Sequence, residues 1–152
     1  MLKAGEKAVD FTLESGKNEK VTLSDYFGKS EVVLYFYPKD NTPGCAKEAC
    51  SFRDNLGQIQ IKKVVVLGIS PDSVKSHQNF TAKYNLNFTL LSDPDHKVAE
   101  AYGAWGEKKM YGKTYMGIIR STFIIGKDGK IKHVFDKVKV GSHGGDVQAF
   151  LG

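Results

Sequence analysis

Two cysteines carry the reactive chemistry that this sequence most clearly offers. Cys45 and Cys50 are the only cysteines among 152 residues, and four residues separate them. Two cysteines are too few for the disulfide framework of a small secreted protein, and they cannot complete a four-ligand zinc site of cysteines. The pair is therefore either inert or catalytic.

The residues before Cys45 indicate a reactive thiol. Thr42 suits the capping position of a helix, and Pro43 suits the first helical residue. Cys45 then falls in the first turn, where backbone N–H groups lack intrahelical partners and the helix dipole is positive, so a thiolate is favoured. The alternative is a small buried hydrophobe. Cys45 begins an apolar stripe that continues through Ala49, Phe52, Leu56 and Ile59.

The helix that carries Cys45 lies between two apolar runs, residues 32–37 and 64–69, which are typical of strands buried on both faces. Together they form a strand–helix–strand unit. Further elements are predicted by caps, periodicity and turn residues. These are a hairpin of residues 9–13 and 21–23, a helix from Ser70-Pro71-Asp72 through Tyr84, a strand at 88–91, a helix from Asp93-Pro94 to Gly103, a hairpin of strands 121–125 and 131–135, and a final helix at 144–151. This layout predicts a thioredoxin-like α/β fold.

Composition favours one domain over residues 1–152, because 41% hydrophobic and 26% charged residues can bury a core without staples. No apolar run reaches the roughly 18 residues of a membrane span, and charges interrupt the N-terminus where a signal peptide would be apolar. We therefore expect a cytoplasmic protein without a membrane segment. The four histidines show no metal-ligand spacing, so we expect them on the surface or in loops: His77, His96, His133 and His143.

The net charge of +5 is spread along the chain and is a weak nucleic-acid signal. An aromatic and basic stretch at residues 105–115, interpreted as a loop, could stack bases. It contains no recognised motif. We therefore expect no nucleic-acid partner and keep a nucleic-acid-binding protein as an alternative.

Residues 38–45 read Pro-Lys-Asp-Asn-Thr-Pro-Gly-Cys. This segment has the Pro-x-x-x-Thr-x-x-Cys form of the peroxiredoxins, thiol peroxidases on an elaborated thioredoxin fold, and resembles their active-site motif. Residues 48–54 and 102–123 resemble the bacterioferritin comigratory protein, or peroxiredoxin Q, subfamily. The resemblance covers nearly the whole chain. It implies a central mixed sheet flanked by helices, with an N-terminal hairpin and helical insertions.

The resemblance also implies the site residues. Cys45 matches the peroxidatic cysteine and Cys50 the resolving cysteine. Pro38 would shield the pocket, Thr42 would hydrogen-bond the thiolate and the peroxide, and Arg120 would complete the site. Glu48 is either an orienting partner for Arg120 or an exposed helix carboxylate.

The implied reaction is reduction of hydrogen peroxide and alkyl hydroperoxides through a sulfenic acid, which condenses to an intramolecular disulfide. A thioredoxin or glutaredoxin-type dithiol would reduce that disulfide, no cofactor or metal is required, and we expect a monomer. A thiol–disulfide oxidoreductase is the alternative within redox chemistry. It uses Cys-x-x-Cys, however, and four residues intervene here.

The spacing of the cysteines constrains the disulfide. In an intact α-helix, residues i and i+5 have Cα atoms roughly 8.7 Å apart. A disulfide needs less than about 7 Å. Cys45 and Cys50 can therefore bond only if the first turns of the helix unwind.

Overall fold

The computed structural model describes residues 1–152 and consists of nine strands and four α-helices. Strands β1–β9 cover Thr12–Ser15, Lys20–Thr22, Glu31–Phe36, Val64–Ser70, Thr89–Ser92, Trp105–Met110, Lys113–Ile118, Ser121–Ile125 and Ile131–Phe135. Helices α1–α4 cover Pro43–Ile61, Val74–Tyr84, Lys97–Tyr102 and His143–Leu151. The strand–helix–strand unit β3-α1-β4 is confirmed, as is the closing β8-β9-α4.

Seven strands form one mixed sheet in the order β2-β1-β5-β4-β3-β8-β9. Strands β3, β4 and β5 are parallel, and β8 runs antiparallel to β3. Alternate side chains of β3 enter two separate apolar clusters. Val33 and Tyr35 pack with α1, whereas Leu34 and Phe36 pack on the opposite face, where α3 contributes Tyr102. The sheet therefore has apolar layers on both faces, as predicted for its central strands.

Helix α1 begins where its cap residues predict. Thr42 is the extended residue before the helix, and Pro43 occupies its first turn. The predicted apolar stripe faces the sheet: Cys45, Ala49, Phe52, Leu56 and Ile59 are all buried. Burial of this stripe holds α1 across β3 and β4 and fixes the position of its N-terminus.

The interpretation of residues 105–115 as a loop is wrong. Strands β6 and β7 form a separate antiparallel hairpin, in which Trp105 pairs with Ile118 and Met110 with Lys113. The two-residue turn at Tyr111 and Gly112 has positive φ angles of 52° and 76°, the geometry that suits a tight hairpin. Lysine and glycine within these strands conceal the apolar alternation by which strands are usually detected.

The expectation that all four histidines lie on the surface or in loops is also wrong. His77 in α2 and His143 at the start of α4 are fully buried. Each is buried against a polar partner. His77 lies 2.7 Å from Asp40, and the ring of His143 lies 2.7 Å from the Thr122 hydroxyl.

Two boundaries differ from those predicted. The N-terminal hairpin pairs Thr12–Ser15 with Lys20–Thr22, and a 3₁₀ turn follows at Leu23–Tyr26. Helix α3 begins at Lys97 rather than at Asp93-Pro94. Asp93 still acts as a cap, because its carboxylate accepts the backbone N–H groups of Val98 and Ala99. None of the helices combines the length and apolar character required to cross a bilayer.

Candidate active site

Cys45 lies in the first turn of α1 and is only 2% exposed. The turn is closed by the N–H of Ala46, which donates to the Thr42 carbonyl at 2.8 Å. The N–H groups of Gly44 and Cys45 have no acceptor within the chain. The thiol therefore lies beside backbone donors that can bind an anion.

Arg120 approaches Cys45 from the connection between β7 and β8. Its Nη2 lies 3.2 Å from the Cys45 Sγ, and its Nη1 lies 2.5 Å from Oε1 of Glu48. The guanidinium also lies against Gly44, where an added Cβ would be in van der Waals contact with the same Nη2 at 3.4 Å. The two ends of one planar fork therefore contact the thiol and a carboxylate.

Glu48 is the orienting partner, which resolves the two alternatives left by the sequence. It lies one turn after Cys45 and is fully buried. Burial raises the pKa of Glu48 to about 7, although the charge and hydrogen bond of Arg120 act in the opposite direction. Its second oxygen, Oε2, has no hydrogen-bond partner. The Glu48–Arg120 pair is therefore incompletely satisfied.

The guanidinium remains charged in this setting. Burial acts to lower the pKa of Arg120, but Glu48 and Cys45 outweigh it and the pKa is raised. Lys108 on β6 is a further cation near the site. Burial and the positive charge of Arg120 lower the pKa of Lys108, and Cys45 partly opposes the change. Sequence reasoning missed Lys108, because only the β6–β7 pairing brings it near Cys45.

Thr42 and Pro38 belong to the segment between β3 and α1, and both are half-buried. The Thr42 hydroxyl donates to the Lys39 carbonyl at 3.0 Å and does not cap the helix. Its hydrogen bond to the thiolate, expected from the resemblance, is absent from this arrangement of the side chains. Pro38 follows β3 at the start of the loop that leads into α1.

Cys50 lies on α1 as well, but its surroundings differ. It is half-exposed, and both cysteines are free thiols. The next residue, Ser51, is held by α4, because its hydroxyl accepts the N–H of Gly144 at 2.8 Å. A side chain at position 144 would come within 2.2 Å of the Ser51 carbonyl oxygen, so α4 packs directly on this turn of α1.

No group of three or more histidine, cysteine, aspartate or glutamate side chains is arranged to hold a metal ion. The arrangement around Cys45 instead combines one thiol with fixed cationic and backbone donors. Such donors can stabilise negative charge on sulfur and on an oxygen leaving group of a molecule that the sulfur attacks.

The chain is similar to known proteins over most of its length. Residues 4–134 match the model of the AhpC/TSA family. Peroxiredoxin Bcp of Bacillus subtilis is 51% identical over 142 residues, which is 93% of this chain and 90% of that protein. Among solved structures, a cysteine-to-serine mutant of Xylella fastidiosa PrxQ has a TM-score of 0.93 at 39% identity, covering 99% of this chain and 96% of its own.

A second solved structure is informative about chemistry. The bacterioferritin comigratory protein of Xanthomonas campestris has a TM-score of 0.87 at 40% identity, covering 93% of this chain and 89% of its own. That protein was studied for its alkyl peroxide reduction activity in trapped intermediate and ligand complexes.

Proposed function

The chain belongs to the AhpC/TSA family as a peroxiredoxin of the Bcp or peroxiredoxin Q type, a thiol peroxidase on a thioredoxin-like fold, and we propose that Cys45 is its reacting thiol. The Cys45 thiolate attacks one oxygen of the peroxide. The S–O bond forms as the O–O bond breaks, so the sulfur is oxidised to sulfenic acid and the peroxide is reduced. The second oxygen leaves with the electron pair and takes a proton to become water or an alcohol.

A thiolate alone does not account for such a reaction. For thiols in general, a pKa lowered from about 8.5 to about 6 raises the thiolate fraction at pH 7 roughly thirtyfold. With a Brønsted slope of about 0.4, the lower nucleophilicity removes about tenfold of that gain. A factor of about three remains. Most of the acceleration must therefore come from alignment of the peroxide and stabilisation of the departing oxygen.

The contact between Arg120 and Cys45 is the observation that carries the proposal. A guanidinium nitrogen 3.2 Å from Sγ lies close enough to contact the peroxide oxygen that the sulfur attacks, or the second oxygen that leaves when the O–O bond breaks. Glu48 holds the other side of the same fork. Arg120 therefore positions the peroxide and stabilises the developing charge.

Thr42 and the first-turn amides complete this role. Because the Thr42 hydroxyl donates its proton to Lys39, its lone pairs are free to accept the O–H of a hydroperoxide. The N–H groups of Gly44 and Cys45 add donors beside the sulfur. Pro38 limits access of water to the thiol. Together these groups select a peroxide oriented for attack by Cys45.

Cys50 resolves the sulfenic acid. Its thiol attacks the Cys45 sulfur, the S–S bond forms, and the hydroxyl leaves as water. The first turns of α1 must unwind for this step, since helical geometry separates the two Cα atoms by roughly 8.7 Å. The contact of Ser51 with α4 supports a defined end to the unwound segment, directly after Cys50.

A dithiol reductant of the thioredoxin or glutaredoxin type then returns both cysteines to thiols and becomes a disulfide itself. We include hydrogen peroxide and alkyl hydroperoxides as substrates, and the activity studied in the Xanthomonas campestris relative supports the latter. A monomeric state and a cytoplasmic location are kept as proposals, and they depend on the sequence alone.

The proposal is tested by peroxide consumption coupled to NADPH oxidation through thioredoxin and its reductase. Cys45→Ser should abolish consumption and retain the fold, because serine replaces the nucleophile at nearly constant volume. Cys50→Ser is the matched control. It should reduce one equivalent of peroxide, accumulate sulfenic acid at Cys45 and then stall with thioredoxin. Turnover by Cys45→Ser near the wild-type rate would disprove the assignment.

A further inference from the structure

The loop between β3 and α1 contains a buried carboxylate that the proposed reaction does not use. Asp40 is 7% exposed and accepts three side-chain hydrogen bonds. The donors are the Tyr37 hydroxyl at 2.5 Å, the Ser76 hydroxyl at 2.8 Å and Nδ1 of His77 at 2.7 Å. Both oxygens of Asp40 are therefore paired.

His77 is the partner of Asp40 on α2. Its ring is fully buried on α2, and Nε2 lies 2.9 Å from the Leu91 carbonyl oxygen. Both ring nitrogens therefore have hydrogen-bond partners, which fix the orientation of the ring. Every polar side-chain atom of the Asp40–His77 pair thus has a hydrogen-bond partner.

The backbone of the loop is tied down beside this pair. The Asp40 N–H donates to Oδ2 of Asp72 at 2.8 Å. The next residue, Asn41, has a positive φ of 62°. Its side-chain Oδ1 accepts a hydrogen bond from the Lys83 ammonium at 2.9 Å. Asp40 is thus held by α2 and by the connection before it, and Asn41 is held by α2.

Thr42 connects this anchor to the thiol. It directly follows Asn41, and its carbonyl accepts the first hydrogen bond of α1, from Ala46. Any displacement of Asp40 therefore moves the Thr42 hydroxyl and the helix turn that contains Cys45. The same displacement loosens the turn that must unwind before Cys50 can reach Cys45.

We propose that Asp40 and His77 are positioning residues that hold the loop of residues 38–42 in the peroxide-reactive arrangement and restrain the opening of α1. The inference rests on the proposed function, because it concerns the two chemical steps of Cys45. It predicts opposite changes in those steps when the pair is weakened. Oxidation of Cys45 slows, because Thr42 and the amides are less well aligned, and disulfide formation quickens, because the first turn opens more readily.

Tyr37→Phe is the test variant, since it removes one hydrogen bond to Asp40 and leaves the ring in the core. Tyr102→Phe is the matched control. It also removes a buried phenol, which donates to the Val9 carbonyl at 2.6 Å on the opposite face of the sheet. Rapid-quench mass spectrometry measures Cys45 sulfenic acid in a Cys50→Ser background and the disulfide in the parent chain.

A hydrogen bond to a charged group corresponds to at least about tenfold in an equilibrium, so we expect Tyr37→Phe to slow oxidation and to accelerate disulfide formation by about fivefold each. Tyr102→Phe should change neither rate. Asp40→Asn should have larger effects of the same sign. If Asp40→Asn does not fold, Tyr37→Phe decides the question.

A lowered melting temperature with both rates unchanged in Tyr37→Phe would show a purely structural role and overturn the inference. Two rates that fall together would also overturn it, because the pair would then not restrain opening. Absence of sulfenic acid at Cys45 in the Cys50→Ser chain would instead refute the proposed function, and the inference with it.

Discussion

Two buried carboxylates lie on either side of the start of α1, and they differ in how completely they are paired. Asp40, in the preceding loop, has hydrogen-bond donors on both oxygens. Glu48, inside α1, has Arg120 on one oxygen and no partner on the other. The partner also differs, since His77 is enclosed on both ring nitrogens whereas Arg120 extends a second nitrogen to Cys45.

The difference separates a positioning pair from a reactive one. A fully satisfied pair leaves no donor free and holds neighbouring backbone in place. An incompletely satisfied pair keeps a donor available for another group, at the cost of an unpaired buried oxygen. The raised pKa of Glu48, about 7 through burial, is a physical sign of that cost.

Arg120→Ala should have the largest effect. Loss of one donor to a developing oxyanion costs about 10²–10³-fold in rate, so oxidation of Cys45 should slow by that factor in stopped-flow measurements. Arg120→Lys should be nearly as slow, because lysine lacks the planar fork that contacts both Glu48 and Cys45. Lys132→Ala is the control, since it breaks a surface pair with Glu31. A wild-type rate in Arg120→Ala would remove Arg120 from the site.

Asp40→Asn should cost about 3 kcal/mol in the free energy of unfolding, because an amide nitrogen would face buried hydroxyl donors that the carboxylate now accepts. Glu48→Gln should cost about 1 kcal/mol or less. The amide oxygen can still accept from Arg120, and the amide nitrogen replaces an oxygen that already lacks a partner. Urea unfolding at neutral pH measures both. Equal losses in the two variants would show that the pairs are equivalent and that the contrast is wrong.

The stability of the wild type should rise on acidification through the titration of Glu48. Its pKa is raised in the folded state, from 4.5 to about 7, so the folded state holds a proton that the unfolded state releases. Stability is then lost as the pH rises from the lower value to the higher one. Through this group, the free energy of unfolding should fall by about 2 kcal/mol as the pH rises from about 5 to about 7.5. The difference between wild type and Glu48→Gln isolates it, and a difference that does not vary with pH would contradict the shift.

Local patterns in the sequence were sufficient for most of the fold. The β-branched runs of β3 and β4, the Thr42-Pro43 start of α1 and the Gly129 turn between β8 and β9 each act within a few residues. The β6–β7 hairpin was missed for the opposite reason. Its strands are rich in lysine and glycine, and its turn begins with Tyr111 where asparagine or aspartate is usual.

The residues of the site likewise divide into those that local sequence patterns predict and those that they do not. The positions of Cys45 and Thr42 follow from helix caps, and Arg120 entered only through the resemblance to a family. The Asp40–His77 pair had no signal, because it joins a loop to a helix 37 residues away. A polar residue in a helix is usually exposed. Burial of His77 depends on the tertiary packing of α2 against the loop, which periodicity does not describe.

Tyr35 and Tyr37 provide the finest test of the contrast, because they belong to the same face of the sheet. Their rings stack with centroids 5.4 Å apart, and both are buried. The Tyr37 hydroxyl donates to Asp40, whereas the Tyr35 hydroxyl has no partner, and burial followed by the charge of Glu48 raises the pKa of Tyr35 well above its usual value.

Tyr35→Phe should therefore have the smallest effect of the set. Removing an unpaired buried hydroxyl returns its desolvation cost, so the free energy of unfolding should be unchanged or higher by about 0.5 kcal/mol. Tyr37→Phe should lower it by about 1.5 kcal/mol, because it breaks a hydrogen bond to a charged acceptor. Urea unfolding compares the two at equal m-values. A comparable loss in Tyr35→Phe would mean that its hydroxyl has a partner in solution, and the contrast between the two tyrosines would be wrong.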